Sequence, residues 1–306
     1  MAHSSETARL QRGAVGRPLL TGNMLGVASM VFWAAGFPAA ERLLVDWPPL
    51  ALISARFAMA VAFLVPLWML IDGPRAVFGA RWGRGTLIGG IGFGLGAYLL
   101  LLAQSLTDPV TVALIASATP IAATLIEVLH GNRRLTRWFS IGLGASVLGG
   151  VIATNALAPA DLGVGALAAV GSCFLFAFGS FLTVRDLPEL SPLGRSTVTL
   201  AGGLATTGIT LCGLHLLGAD VLPHSAPDGA QLKLLVIYAF AGMALSQVMF
   251  IASVGHLGIA AASFHINLAP FYVMLILLAL GGGWHWPQAI GALAVAAGVV
   301  IAQREC

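Results

Sequence analysis

Apolar runs of about twenty residues recur along this 306-residue chain, and nothing in it constrains the fold more. A bilayer's hydrocarbon core is roughly 30 Å thick and an α-helix rises about 1.5 Å per residue, so about twenty apolar residues make one crossing. In lipid only helices and closed barrels satisfy the backbone, and runs of this length without period-two alternation choose helices. Glycine, proline and charge punctuation divides the chain into ten such segments: 22–44, 50–71, 86–104, 110–129, 138–154, 164–184, 193–216, 232–254, 259–280 and 287–302. Composition agrees, with 58% of residues hydrophobic, 9% charged and a mean hydropathy of +0.93. A soluble domain carries about 25% charged residues. Fifteen basic and twelve acidic side chains cannot clothe a water-facing surface. A soluble enzyme, a nucleic-acid binder and a disulfide scaffold are therefore excluded.

Arginine placement sets the direction. With the N-terminus inside, Arg9, Arg12, Arg17, Arg75, Arg81, Arg84, Arg133, Arg134, Arg137, Arg185, Arg195 and Arg304 fall in cytoplasmic segments, 12 of the 15 basic residues. Arg42 and Lys233 fall opposite, and Arg56 lies within the second segment. This is the positive-inside signature, and it leaves both termini cytoplasmic. The net charge of +3 is read as topology rather than as attraction to an anionic partner. Residues 1–20 look like the basic head of a signal peptide, but the run that follows exceeds the usual 7 to 15 apolar residues and reads as a retained span. Cys173, Cys212 and Cys306 have no metal-site spacing, and no metal or cofactor is expected.

The chain also matches itself at a large offset. Gly36, Arg42 and Pro49 pair with Gly179, Arg185 and Pro192, each 143 residues on. Gly92 and Pro120 pair with Gly242 and Pro270 at 150, and Gly142 and Gly149 pair with Gly291 and Gly298 at 149. Order is kept throughout, as duplication with small insertions would keep it. The expected fold is thus an all-α polytopic membrane protein of ten transmembrane helices. It has a tail over 1–21, a five-helix repeat over 22–155, a linker over 156–162, a second repeat over 163–302 and a tail over 303–306. Five is odd, so the halves have opposite orientation, the construction from which many secondary transporters are made, with the substrate near midplane between the repeats.

These landmarks resemble a family. Phe32-Trp33-Ala34-Ala35-Gly36-Phe37, then Pro48-Pro49, then Arg56-Phe57, with Thr119-Pro120 and Ala269-Pro270, are similar to the ten-span EamA-type carriers of the drug/metabolite transporter superfamily over about residues 22–302. Many members carry Gly-Glu after the fourth and ninth helices, where this chain has Gly131-Asn132 and Gly281-Gly282-Gly283. Among subgroups the whole is most similar to the YddG-type exporters of aromatic and other neutral amino acids. The resemblance implies a small-molecule carrier and no enzyme.

The few polar residues within the spans are the candidate chemistry, because charge inside a membrane is costly. Arg56, about six residues into its span, is expected to snorkel back to the headgroups. Glu127 is expected to pair with Arg133 or Arg134 at the inner boundary. No Asp, Glu or Lys falls near the middle of any span, and a cation would demand a counter-ion there, so a neutral or zwitterionic substrate fits better. His265 suits either proton exchange or a core bond to a carbonyl. Pro120 and Pro270 each free a carbonyl, those of Ala116 and Ile266, and bend or gate the helices; the freed carbonyls are expected to face a substrate's amino group. Trp33, Tyr98, Ser117, Ser246, Gln247, His265, Asn267 and Tyr272 are the candidate pocket residues. The run Gly90-Ile91-Gly92-Phe93-Gly94-Leu95-Gly96 has the look of a phosphate loop but lies in an apolar span with no preceding strand; it suits close helix contact instead.

The expected function is export of small neutral or zwitterionic metabolites, foremost aromatic and other neutral amino acids, by alternating access across a bacterial inner membrane. The expected partners are the small-molecule substrate and membrane lipid, with no nucleic acid, and a monomer suffices. Two alternatives stand beside it: a flippase for lipid or polyprenyl headgroups, and an intramembrane enzyme. Against the latter, Gly144-Ala145-Ser146 is followed by Val147 where a protease serine needs glycine.

Overall fold

A computed structural model describes the backbone of residues 2–106, 115–116, 118–153, 163–223 and 226–304. Among these residues there is no strand. The helices are α1 (Ala2–Leu43), α2 (Pro49–Ile71), α3 (Pro74–Phe78), α4 (Trp82–Gly89), α5 (Gly96–Leu106), α6 (Thr119–Leu129), α7 (Arg137–Ala153), α8 (Val164–Asp186) and α9 (Pro192–Leu216). They continue as α10 (Gly229–Val236), α11 (Ser246–Leu257), α12 (Ile259–Ser263), α13 (Ala269–Ala279) and α14 (Trp286–Ala302). Six continuous helical stretches are long and apolar enough to cross a membrane: Pro18–Leu43, Pro49–Ile71, Val164–Asp186, Pro192–Leu216, Gly229–Leu257 and Ile259–Ala279. Thr119–Leu129, Arg137–Ala153 and Trp286–Ala302 are shorter apolar helices. This is an all-helical polytopic membrane fold.

Local chemistry marks the ends. Pro49 and Pro192 begin α2 and α9, where a missing N–H costs nothing, and the Ser191 hydroxyl caps α9 by accepting from the Gly194 N–H at 3.1 Å. Asp228 and Gln231 form a reciprocal capping box at α10. Gly131 and Gly281, 150 residues apart, close α6 and α13 with φ of 71° and 95°, conformations that favour glycine.

Two departures from regular helix were not expected. Gly90–Leu95 joins α4 to α5, and Ile237–Leu245 joins α10 to α11, each as a π-helical segment, here π1 and π2. They fall at corresponding places along the chain. A third break, the 3-10 turn Phe264–Leu268, separates α12 from α13.

Packing follows the same correspondence. A Cβ added to Gly36 would lie 3.2 Å from Gly242 Cα, and one on Gly92 would lie 2.6 Å from Gly179 Cα, so α1 meets π2 where α8 meets π1. Gly149 packs on the Gly291 carbonyl and Gly298 on the Gly142 carbonyl, which seats α7 antiparallel against α14. The matched glycines pack crosswise: Gly36 and Gly92 each meet the other's match, and so do Gly142 and Gly149. Their lack of side chains lets backbones approach, as expected for the run Gly90–Gly96. Large side chains such as Leu70, Ile71, Leu216, Leu217 and Leu293 stay exposed on the outside, as a lipid-facing surface requires.

Candidate functional site

Serine hydroxyls bind the exits of the π-segments. Ser29 Oγ on α1 donates to the Ser246 carbonyl at 2.8 Å, and Ser172 Oγ on α8 donates to the Gly96 carbonyl at 2.8 Å. Ser29 and Ser172 are 143 apart, while Gly96 and Ser246 are 150 apart, so one bond is the image of the other. Between these crossings lies a cavity of about 180 Å³. Its walls come in corresponding pairs: Trp33 with Phe176, Phe93 with Met243, Leu100 with Phe250, Phe57 with Leu200. Phe176 stands 5.8 Å from Phe93 and 5.4 Å from Phe250 between ring centres, which makes one wall aromatic.

Polarity breaks the correspondence. Gln247 lines the cavity where its counterpart is Ala97, and its Nε2 is buried with no hydrogen-bond partner among the described residues. Arg56 also lines the cavity, whereas its counterpart, Thr199, packs against Gly89 and lies outside it. Arg56 does not turn back to the headgroups, which corrects the snorkelling expectation. It reaches across to π2, where Nε donates to the Tyr238 carbonyl at 3.1 Å and one Nη donates to the Gly242 carbonyl. The guanidinium also lies 3.9 Å from the centre of the Tyr238 ring. The reason is local: a π-turn carries its carbonyls off the regular ladder, and the glycines at 36 and 242 leave room beside them. No carboxylate pairs with Arg56 among the described residues. The cavity holds a cation.

A second hollow of about 110 Å³ shares Trp33, Arg56, Ala97 and Leu100 with the first and extends to Leu44 and Ile53, away from the arginine-rich end. That arginine-rich end is tied shut between the halves. Arg81 pairs with Glu189 at 2.9 Å and Arg84 with Asp186. Asn23 bonds Gln303 at 2.8 Å, and Ser253 Oγ bonds the Gly22 carbonyl at 2.8 Å. Glu127 holds Arg133, as the sequence suggested, and Arg133 donates to the Leu257 carbonyl at 3.1 Å.

Of the residues expected in a pocket, Trp33, Ser246 and Gln247 line the cavity. His265 is buried against Gly26 with Nδ1 3.1 Å from the Ala262 carbonyl. Asn267 Nδ2 donates to the Ser146 carbonyl at 2.9 Å and so joins the segment before α13 to α7. Tyr272 packs beside Phe271 outside the cavity, and Tyr98 is partly exposed and also outside it. Ser117 lies outside the described residues. Pro120 and Pro270 open α6 and α13, but the carbonyls they free are occupied: Ala116 accepts from Thr119 Oγ1 at 2.6 Å and Ile266 from the Ala269 N–H. The serine pair and the wall around Phe176 escaped the sequence reading, although Ser29 and Ser172 carry the same offset as Gly36 and Gly179.

Comparison with known proteins agrees with this architecture. Residues 20–155 match the EamA-like transporter family. That supports the resemblance to the drug/metabolite transporter superfamily and points to a membrane transporter of small molecules. A solved crystal structure shares the fold with a TM-score of 0.75 at 18% identity, over 92% of this chain and 96% of that one. No curated protein matches the chain in sequence.

Proposed function

We propose that this protein exports small metabolites with an apolar body, foremost amino acids with aromatic or other apolar side chains, through the cavity between its halves. In this reading ten helices cross a bacterial inner membrane as two inverted five-helix repeats with both termini cytoplasmic, and a monomer transports without catalysis. The observation that carries it is the cavity's position between paired elements: every pair of walls draws one member from each half, so a rearrangement of one half on the other opens it to either face. Size supports the substrate class, because an apolar cavity of about 150 Å³ accepts a benzene ring and this one measures about 180 Å³.

Proteoliposomes loaded with labelled phenylalanine test the reading. Release should be several-fold faster than from protein-free vesicles, and Trp33→Ala should slow it about tenfold by removing an aromatic wall. Equal release with and without the protein across a panel of apolar amino acids would sink the proposal.

A further inference from the structure

We propose that Arg56 is the anchor for a carboxylate, so that the cavity selects organic acids with an apolar body by their acid group and makes no demand for an amino group. A guanidinium offers five N–H donors in a planar fork. The carbonyls of Tyr238 and Gly242 take two of them, the Tyr238 side chain also bears on the group, and no carboxylate meets Arg56 among the described residues. An ion held in a membrane interior without a counter-ion is costly unless something neutralises it, and a carboxylate matches the fork's geometry bidentately. Gln247 adds an amide Nε2 without a partner among the described residues on the same cavity.

The rest of the cavity gives an ammonium group little to bind. Among the described residues no carboxylate lines it, and the carbonyls of Gly242, Ser246, Gly96 and Ala116 in its walls already accept from Arg56, Ser29, Ser172 and Thr119. The aromatic wall of Phe93, Phe176 and Phe250 suits the apolar body. Charge, unpaired donors and apolar surface therefore describe a monoanionic acid with a ring or branched chain; an amino acid enters through its carboxylate.

The inference uses the transport reading only to choose apolar ligands, and a binding assay separates the two. Purified protein in detergent is titrated with 3-phenylpropionate, 3-phenylpropanamide and 3-phenylpropylamine, which share one apolar body, and binding is read by the shift in melting temperature and by calorimetry. The acid should bind at least tenfold more tightly than the amide and the amine. Arg56→Gln should abolish the preference, while Arg56→Lys keeps it in weakened form. Equal binding of acid and amide by the wild-type protein, or an Arg56→Gln protein that still prefers the acid, would overturn the assignment. Should Arg56→Gln fail to fold, the three ligands on the wild-type protein decide alone. Acid-selective binding without vesicle transport would remove the transport reading and leave this one standing.

Discussion

At the scale of single residues, contact distance separates glycines that matter from those that do not. A Cβ at Gly92 would sit 2.6 Å from the Gly179 backbone, whereas one at Gly144 would meet nothing within 4 Å. Gly92→Ala is expected to lower stability by about 1–3 kcal/mol through overpacking, while Gly144→Ala is neutral or mildly stabilising as a helix-interior replacement. Thermal unfolding of the two variants in detergent checks this. Equal melting temperatures would contradict the contact. Gly92 was legible in the sequence because it had a partner at a fixed offset. Arg56 was legible as an anomaly but not as to direction, since position along a helix gives depth and leaves the side chain's destination open. The surroundings of His265 and Asn267 were illegible for a related reason: their neighbours Gly26 and Ser146 come from helices far earlier in the chain.

At the scale of elements, hydropathy gave the helices and hid their irregularities. A π-turn adds one residue to a helix without changing its apolar character, so neither π1 nor π2 leaves a mark on a run of Gly, Ala, Leu and Phe. Pro120 and Pro270 were the expected source of free carbonyls; the chain caps those and uses the π-segments to receive side chains from other helices. Ser29→Ala and Ser172→Ala each remove one hydroxyl-to-carbonyl bond at corresponding exits from π2 and π1. Each should cost about 1 kcal/mol. The double variant should show the sum, because the two bonds share no partner. A large inequality between the two melting-temperature shifts would count against the correspondence of the π-segments.

At the scale of the whole molecule, the ties at the arginine-rich end and the second hollow at the other predict which face reaches the cavity. Cys173 lines the cavity and serves as a native reporter once Cys212 and Cys306 are replaced by serine. A membrane-impermeant thiol reagent should label it from the Lys233 side at least fivefold faster than from the arginine-rich side. Asp186→Asn with Glu189→Gln, which unties Arg84 and Arg81, should narrow that ratio; an unchanged ratio would show that the ion pairs do not hold the closure. The two ends are also chemically unequal. At the closed end the Thr199 backbone fits tightly on Gly89 and its hydroxyl stays within its own helix, whereas the counterpart, Arg56, sends a guanidinium across to Tyr238 and Gly242. If the proposed exchange between faces operates, this inequality makes it a biased balance: unloaded, the protein would rest with the Lys233 side ajar, and an acid that masks the charge would tip it the other way.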